Sequence, residues 1–91
     1  MTKLTKCITI VNEKGLHARA SAKLVEVVEA HDAVATIHND GQEALGDSIM
    51  GLLMLAASKG TTIEVQVEGT EAQALLGAIS DLVANRFGEE A

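Results

Sequence analysis

The spacing of apolar positions changes along the chain and predicts the order of its secondary-structure elements. Residues 62–68 alternate apolar and polar side chains, which is the pattern of a strand with one buried face. Residues 18–30 instead repeat apolar side chains every three or four positions, as in an amphipathic helix. By these criteria, strands are predicted over residues 3–11, 33–38, 42–45 and 61–69, and helices over 18–30, 48–57 and from 70 onward.

This order, strand, helix, strand, strand, helix, strand, helix, predicts an α+β domain of two layers. One face of the sheet should be covered by helices and the other should face solvent, because the strands are polar on one side. The chain shows neither an internal repeat nor a linker. A single domain over residues 1–91 is therefore expected, with a core within about 4–87.

Three local predictions accompany this outline. Cys7 is expected to be a small buried strand residue, with no redox role, because its neighbours are apolar. Thr70 and Gln73 have the spacing of a capping box and are expected to open the last helix. The C-terminal residues 88–91 are expected to fray.

Composition narrows the classes of partner. The net charge of −6 disfavours nucleic acid and anionic membranes, and Phe87 is the only aromatic side chain on which a base could stack. No apolar run approaches the length of a membrane span, and the N-terminus lacks the apolar core of a signal peptide. The single cysteine agrees with a reducing compartment, so a cytoplasmic location is expected.

The stretch KGLHARASAKL places His17 at the start of the first predicted helix. A neutral imidazole has a nucleophilic nitrogen, and a helix N-terminus favours an anion through its free N–H groups and dipole. Arg19 adds a charge-assisted donor for the same anion. These features suit a phosphoryl group that arrives and leaves, although the residues alone favour the simpler interpretation that His17 is an ordinary polar residue near a helix start. A metal site is not predicted, because His31 and His38 have no ligand spacing with His17.

Two motifs, GLHARA over residues 15–20 and DSIMGLLML over residues 47–55, resemble those of a known family. The chain is similar over about residues 4–87 to HPr, the histidine-containing phosphocarrier of the phosphoenolpyruvate-dependent phosphotransferase system. The resemblance implies an open-faced β-sandwich with four antiparallel strands in the order 1-4-2-3 and three helices on one face.

The same resemblance implies a phosphocarrier with no independent turnover and no cofactor or metal. His17 would accept a phosphoryl group on Nδ1 from Enzyme I and pass it to a histidine of an enzyme IIA. Arg19 and the backbone amide of Ala18 would help to hold the group. Such a carrier that exposes its site to two partners is most simply a monomer.

The resemblance also implies a regulatory site and a docking patch. Ser48 corresponds to the serine that an HPr kinase/phosphorylase modifies in some members, although a serine there also suits a helix N-cap. Docking of partners is expected through Ala20, Ile49, Met50 and Leu53. Ala20 stands where the family pattern has proline, a variation similar to the regulatory, nitrogen-related branch, in which no sugar is carried.

Two other functions remain open from the sequence. The chain can be a purely regulatory docking module controlled by phosphorylation of Ser48. It can also be an unrelated small α+β ligand-binding domain, which accounts for the order of elements but not for the two spaced motifs.

Overall fold

A computed structural model describes residues 3–91, which form a four-stranded sheet and three helices. The strands are β1 (Lys3–Thr9), β2 (Val34–Asn39), β3 (Gln42–Leu45) and β4 (Thr62–Glu68), and the helices are α1 (Ala18–Glu29), α2 (Ile49–Met54) and α3 (Ala72–Ala84). The predicted order of elements is confirmed.

The sheet is antiparallel, with the strand order β1-β4-β2-β3. In its register Ile8 lies opposite Ile63, and Val65 lies opposite Ile37. These apolar pairs face the helices, and β4 alternates buried Ile63, Val65 and Val67 with more exposed polar residues. The α+β architecture and the sheet order implied by the resemblance are both confirmed.

Cys7 lies on the sheet face that points away from the helices. It pairs with Glu64 across β1 and β4, and its side chain is exposed. The prediction of a buried cysteine is therefore wrong, because the apolar residues Ile8 and Ile10 that flank it in sequence alternate to the opposite face.

The helices bury the faces that their periodicity predicts. In α1, Ser21, Leu24, Val25 and Val28 are all buried. In α3, Ala72, Leu75, Ile79 and Val83 are buried, whereas Leu82 is only partly so. In the part of the chain described, no helix is both long and apolar enough to cross a membrane.

The start of α3 differs from the prediction. Glu71 occupies the N-cap position, and its carboxylate accepts a hydrogen bond from the backbone N–H of Asp32. The predicted capping box of Thr70 and Gln73 is therefore wrong, since a contact from a distant loop anchors this end of the helix instead.

A tight left-handed turn follows α3 and redirects the chain. Arg86 and Phe87 both have a φ of 55°, and Gly88 has a φ of 79°. Non-glycine residues in this region cost about 1–3 kcal/mol each. The Phe87 ring, 0% exposed, is buried in the core, and Lys23 Nζ donates to its carbonyl oxygen at 2.6 Å. The residues that follow are held rather than frayed, because Glu13 N donates to Ala91 O at 3.1 Å.

Candidate functional site

His17 is the N-cap residue of α1. Its backbone is extended, with φ −82° and ψ −175°, and its Nδ1 atom accepts a hydrogen bond from Arg19 N at 3.3 Å. Ala18 and Arg19 form the first turn of the helix and are exposed. Nδ1 therefore faces the end of α1 where backbone N–H groups and the helix dipole favour an anion.

The loop before His17 is held against a second segment of the chain. Leu16 N donates to Ala57 O at 2.8 Å, and Gly15 has a φ of +64°. A Cβ on Gly15 would lie 2.5 Å from Ala57 O and 2.8 Å from Ser58 Cα. Glycine is required here for both its backbone conformation and its close approach, and together these contacts fix where α1 begins.

The other ring nitrogen of His17 contacts the C-terminal tail. His17 Nε2 forms a hydrogen bond with Glu89 Oε2, and Asn12 Nδ2 donates to Glu89 Oε1 at 2.9 Å. The side chains of His17 and Glu89 are 25% and 13% exposed. The carboxylate thus lies between two donors in a partly buried position.

The electrostatics of Glu89 follow from these partners. The hydrogen bond from Asn12 and then that from His17 hold the pKa of the Glu89 carboxyl below its ordinary value, with a smaller contribution from the charge of Lys14. Glu89 is therefore ionised at neutral pH.

Charged side chains of both signs line an open hollow beside the N-terminus of α1. Its volume is about 420 Å³, and its lining includes the basic residues Lys14, Arg19 and Lys23 and the acidic residues Glu13, Glu89 and Glu90. The three basic side chains are therefore matched by three acidic ones, and the hollow carries no excess of positive side chains.

The second motif forms an exposed apolar surface. Ile49, Met50 and Met54 are 39%, 70% and 74% exposed, and Leu53 is half-buried. We call these four residues of α2 the apolar patch. Ser48 is the N-cap of the same helix, where its Oγ accepts from Gly51 N at 3.1 Å.

Ala20 does not belong to this surface. Its side chain is 0% exposed, because it lies on the inner face of α1. The expectation that Ala20 docks partners is therefore wrong as regards its side chain, which contributes to the core. Its neighbours Ala18 and Arg19 are exposed.

The other histidines lie in local contacts of their own. His31 Nδ1 is 2.7 Å from Val27 O, and His38 Nδ1 is 3.5 Å from Glu43 Oε1. Within residues 3–91, no group of three or more His, Cys, Asp or Glu side chains is placed to hold a metal ion.

The site also contains residues that the sequence did not indicate. Asn12 follows the first predicted strand and Glu89 lies in the tail that was expected to fray, yet these residues, 77 apart in sequence, bond to one another beside His17. Local periodicity carries no signal for such a contact. Met54 was likewise missed, although the apolar character of α2 on all sides was visible.

Comparisons with known proteins agree with this fold. A family sequence model described as "PTS HPr component phosphorylation site" matches residues 4–85. Phosphocarrier protein HPr of Xylella fastidiosa (strain Temecula1) is 42% identical over 83 residues, which cover 91% of this chain and 93% of that protein. Phosphocarrier protein NPr of Shewanella violacea is 44% identical over 89 residues, 98% of each chain. Among solved structures, HPr-C-His from Thermoanaerobacter tengcongensis has a TM-score of 0.89 at 32% identity, with 100% of both chains covered.

The sheet order, the histidine at the start of α1 and these matches define the class of small phosphocarrier proteins. The chain belongs to the HPr family of the phosphotransferase system, whose relatives here carry both the HPr name and the NPr name of the nitrogen-related branch.

Proposed function

We propose that the protein is a cytoplasmic, monomeric phosphocarrier that works through His17. It accepts a phosphoryl group from a phosphohistidine of Enzyme I and passes it to a histidine of an enzyme IIA. The observation that carries the proposal is the position of His17 as N-cap of α1, with Nδ1 directed at the first-turn amide of Arg19.

The surroundings of Nδ1 suit a phosphoryl group that is held briefly. The helix dipole contributes about 0.3–1 kcal/mol per charge, and a hydrogen bond to a charged group contributes about 1.5–3 kcal/mol. Arg19 is exposed and lines the hollow, and we expect its guanidinium to turn toward His17 when the phosphoryl group is bound. The first-turn amide N–H groups of Ala18 and Arg19 are the backbone donors. Contributions of this size hold the group without trapping it.

The transfer is an in-line exchange between two imidazoles. The Nδ1 lone pair of His17 attacks phosphorus and forms a new N–P bond, while the N–P bond of the donor breaks and its electron pair returns to the donor nitrogen. Both nucleophiles are imidazoles, so the exchange is reversible, and the protein contributes positioning and electrostatic stabilisation.

The apolar patch supplies a docking surface for both partners. Exposed apolar side chains rimmed by polar groups mark interaction sites, and methionine side chains adapt to different partners. Lys14, Arg19 and Lys23 line the hollow on the His17 side together with three glutamates, and their cationic groups can pair with carboxylates of a docked partner.

Ser48 is proposed as a regulatory phosphorylation site for an HPr kinase/phosphorylase. Ser48 is half-buried at the N-terminus of α2, next to the exposed Ile49 and Met50. A phosphate of about −1.5 to −2 charge there would place an anion within the docking surface and repel an acidic partner. Ser48→Ala should abolish ATP-dependent labelling by the kinase and leave labelling by Enzyme I unchanged.

Labelling with phosphoenolpyruvate and Enzyme I tests the main proposal. The protein should take up one phosphate that is labile in acid and stable in base, and His17→Ala should abolish this uptake. His38→Ala, which alters a histidine on a strand of the sheet, is the matched control and should label like the parent. Equal labelling of His17→Ala would show that the acceptor is another residue.

A further inference from the structure

We propose that Glu89 is a positioning residue for His17: its carboxylate accepts the N–H of Nε2 and thereby keeps Nδ1 unprotonated as the nucleophile. The consequence for catalysis rests on the proposed function, whereas the effect on the ring is a property of the free protein.

The proposal rests on a series of hydrogen bonds whose donor and acceptor directions are fixed. Asn12 Nδ2 donates both to Gly15 O at 2.8 Å and to Glu89 Oε1 at 2.9 Å. Both acceptors lack a proton, so the Asn12 amide can take only this orientation. At the other end, the Arg19 amide N–H points at Nδ1 of His17.

Hydrogen-bond donors, Asn12 Nδ2 and Arg19 N–H, therefore stand at the two ends of this series and point toward its middle. Arg19 N–H requires Nδ1 to accept, so the ring proton belongs on Nε2, where it requires a second acceptor. Asn12 likewise requires an acceptor. Only a carboxylate accepts on both of its oxygens, and Glu89 supplies one at this point.

Several interactions hold the C-terminal tail, residues 86–91, in the position that this contact requires. Arg86 and Phe87 adopt left-handed backbone conformations, and the buried Phe87 ring anchors the turn that brings Glu89 over His17. Backbone strain of this kind persists where the surrounding structure enforces it, and it is concentrated at functional sites. The bonds from Lys23 Nζ to Phe87 O and from Glu13 N to Ala91 O hold the tail on either side of Glu89.

During transfer the same carboxylate balances charge. When Nδ1 forms its bond to phosphorus, the Nε2 proton stays on the ring, which becomes positively charged. Glu89 stabilises this charge through the existing hydrogen bond, in the way that an aspartate orients and stabilises a catalytic imidazole. When the phosphoryl group leaves, the electron pair returns to Nδ1 and the ring is neutral again.

Glu89→Gln is the decisive variant, because it keeps the shape of the Glu89 side chain but replaces one of its two acceptor oxygens with an N–H₂ donor. If the oxygen of the introduced amide faces Asn12, the N–H₂ group of that amide faces Nε2 and favours a proton on Nδ1; if the amide is reversed, two donors meet at Asn12. Glu90→Gln is the matched control, since it removes the same charge from the neighbouring tail residue. Glu89→Asp restores the carboxylate with a shorter reach.

Long-range proton–nitrogen NMR of the imidazole ring at about pH 8.5 tests the proposal on the unphosphorylated protein. The parent, Glu90→Gln and, in part, Glu89→Asp should show the Nε2–H tautomer of His17, and Glu89→Gln should show a loss of that tautomer. With Enzyme I, the phosphorylation rate of Glu89→Gln should fall by about tenfold to a hundredfold, with Glu90→Gln within about twofold of the parent.

The outcomes separate this inference from the proposed function. An unchanged His17 tautomer in Glu89→Gln, or an unchanged rate of phosphorylation, would overturn the positioning role while leaving the phosphocarrier proposal intact. A changed tautomer in a protein that Enzyme I never phosphorylates would uphold the effect on the ring and overturn the proposed function. Thermal unfolding of each variant confirms that differences do not arise from loss of the fold.

Discussion

Gly15 is the residue at which the smallest substitution should most disturb the site. An added methyl group must adopt a φ of +64° and would lie 2.5 Å from Ala57 O and 2.8 Å from Ser58 Cα. Both atoms belong to backbone, so the side-chain rearrangements that relieve many contacts are unavailable. Gly15→Ala should therefore destabilise the protein and displace the loop that ends in His17.

A second glycine separates the two causes. Gly41 has a φ of +79° but nothing within 4 Å of the position that a Cβ would take. In Gly41→Ala, the left-handed conformation of the alanine destabilises the folded state by about 1–2 kcal/mol. The lower conformational entropy of the unfolded chain offsets about 0.4–1 kcal/mol of this, so the free energy of unfolding should fall by about 1 kcal/mol. Gly15→Ala adds an overlap of about 1–3 kcal/mol, for a total of about 2–4 kcal/mol.

Thermal and urea unfolding of the two variants measure this difference. In a domain of this size, 1 kcal/mol lowers Tm by about 4–8 °C, so Gly15→Ala should unfold about 8–30 °C below the parent. Gly41→Ala should lose only about 4–8 °C. Equal losses would refute the argument, because they would show that the contact with Ala57 and Ser58 costs nothing beyond the backbone conformation.

Further predictions concern the core, the tail and the docking surface. Phe87→Ala should lower the free energy of unfolding measured in urea by about 3–5 kcal/mol, because the Phe87 ring is 0% exposed. Val34→Ala is the control and should lower it by less than about 0.5 kcal/mol, because Val34 is 61% exposed. A similarly small loss for Phe87→Ala would contradict the role of this ring as an anchor. Hydrogen bonds lower the pKa of the Glu89 carboxyl in the folded state. The contact of Glu89 with Asn12 and His17 therefore stabilises the folded state at pH values above the ordinary pKa of a glutamate, and this stabilisation is lost as the pH falls through the lowered pKa. When the pH is lowered from about 7 to about 3, the Tm of Glu89→Gln should therefore fall less than the Tm of the parent. An equal fall in Tm for the two proteins would argue against the contact. Met50→Asp should leave stability within about 0.5 kcal/mol, since the side chain is 70% exposed, but should weaken binding to Enzyme I measured by calorimetry; unchanged affinity would remove Met50 from the docking surface.

Elements with strong local patterns were predicted well from the sequence. The bounds of β3 match the prediction, and those of β2 and β4 differ by one residue at each end. Alternation in β4 and helical spacing in α1 identify the buried faces because burial selects the side chains at those positions directly. The sheet order came from the family resemblance, since periodicity does not specify which strands pair.

Features that depend on distant contacts could not be predicted in this way. The anchoring of Glu71 by Asp32, and the contact of Glu89 with Asn12 and His17, join residues that lie far apart in sequence. The left-handed turn at Phe87 has no sequence signature other than the following glycine. For Cys7, apolar neighbours suggested burial, but the pleat of β1 turns it to solvent.

Transfer of a loaded phosphoryl group tests the central claim most directly. The protein is phosphorylated with radiolabelled phosphoenolpyruvate and Enzyme I, separated from both, and then mixed with an enzyme IIA. We predict that the label leaves His17 and appears on a histidine of the acceptor, and that it moves back when excess unlabelled carrier is added. Label that stays on this protein, or that is found on a residue other than His17, would contradict the account.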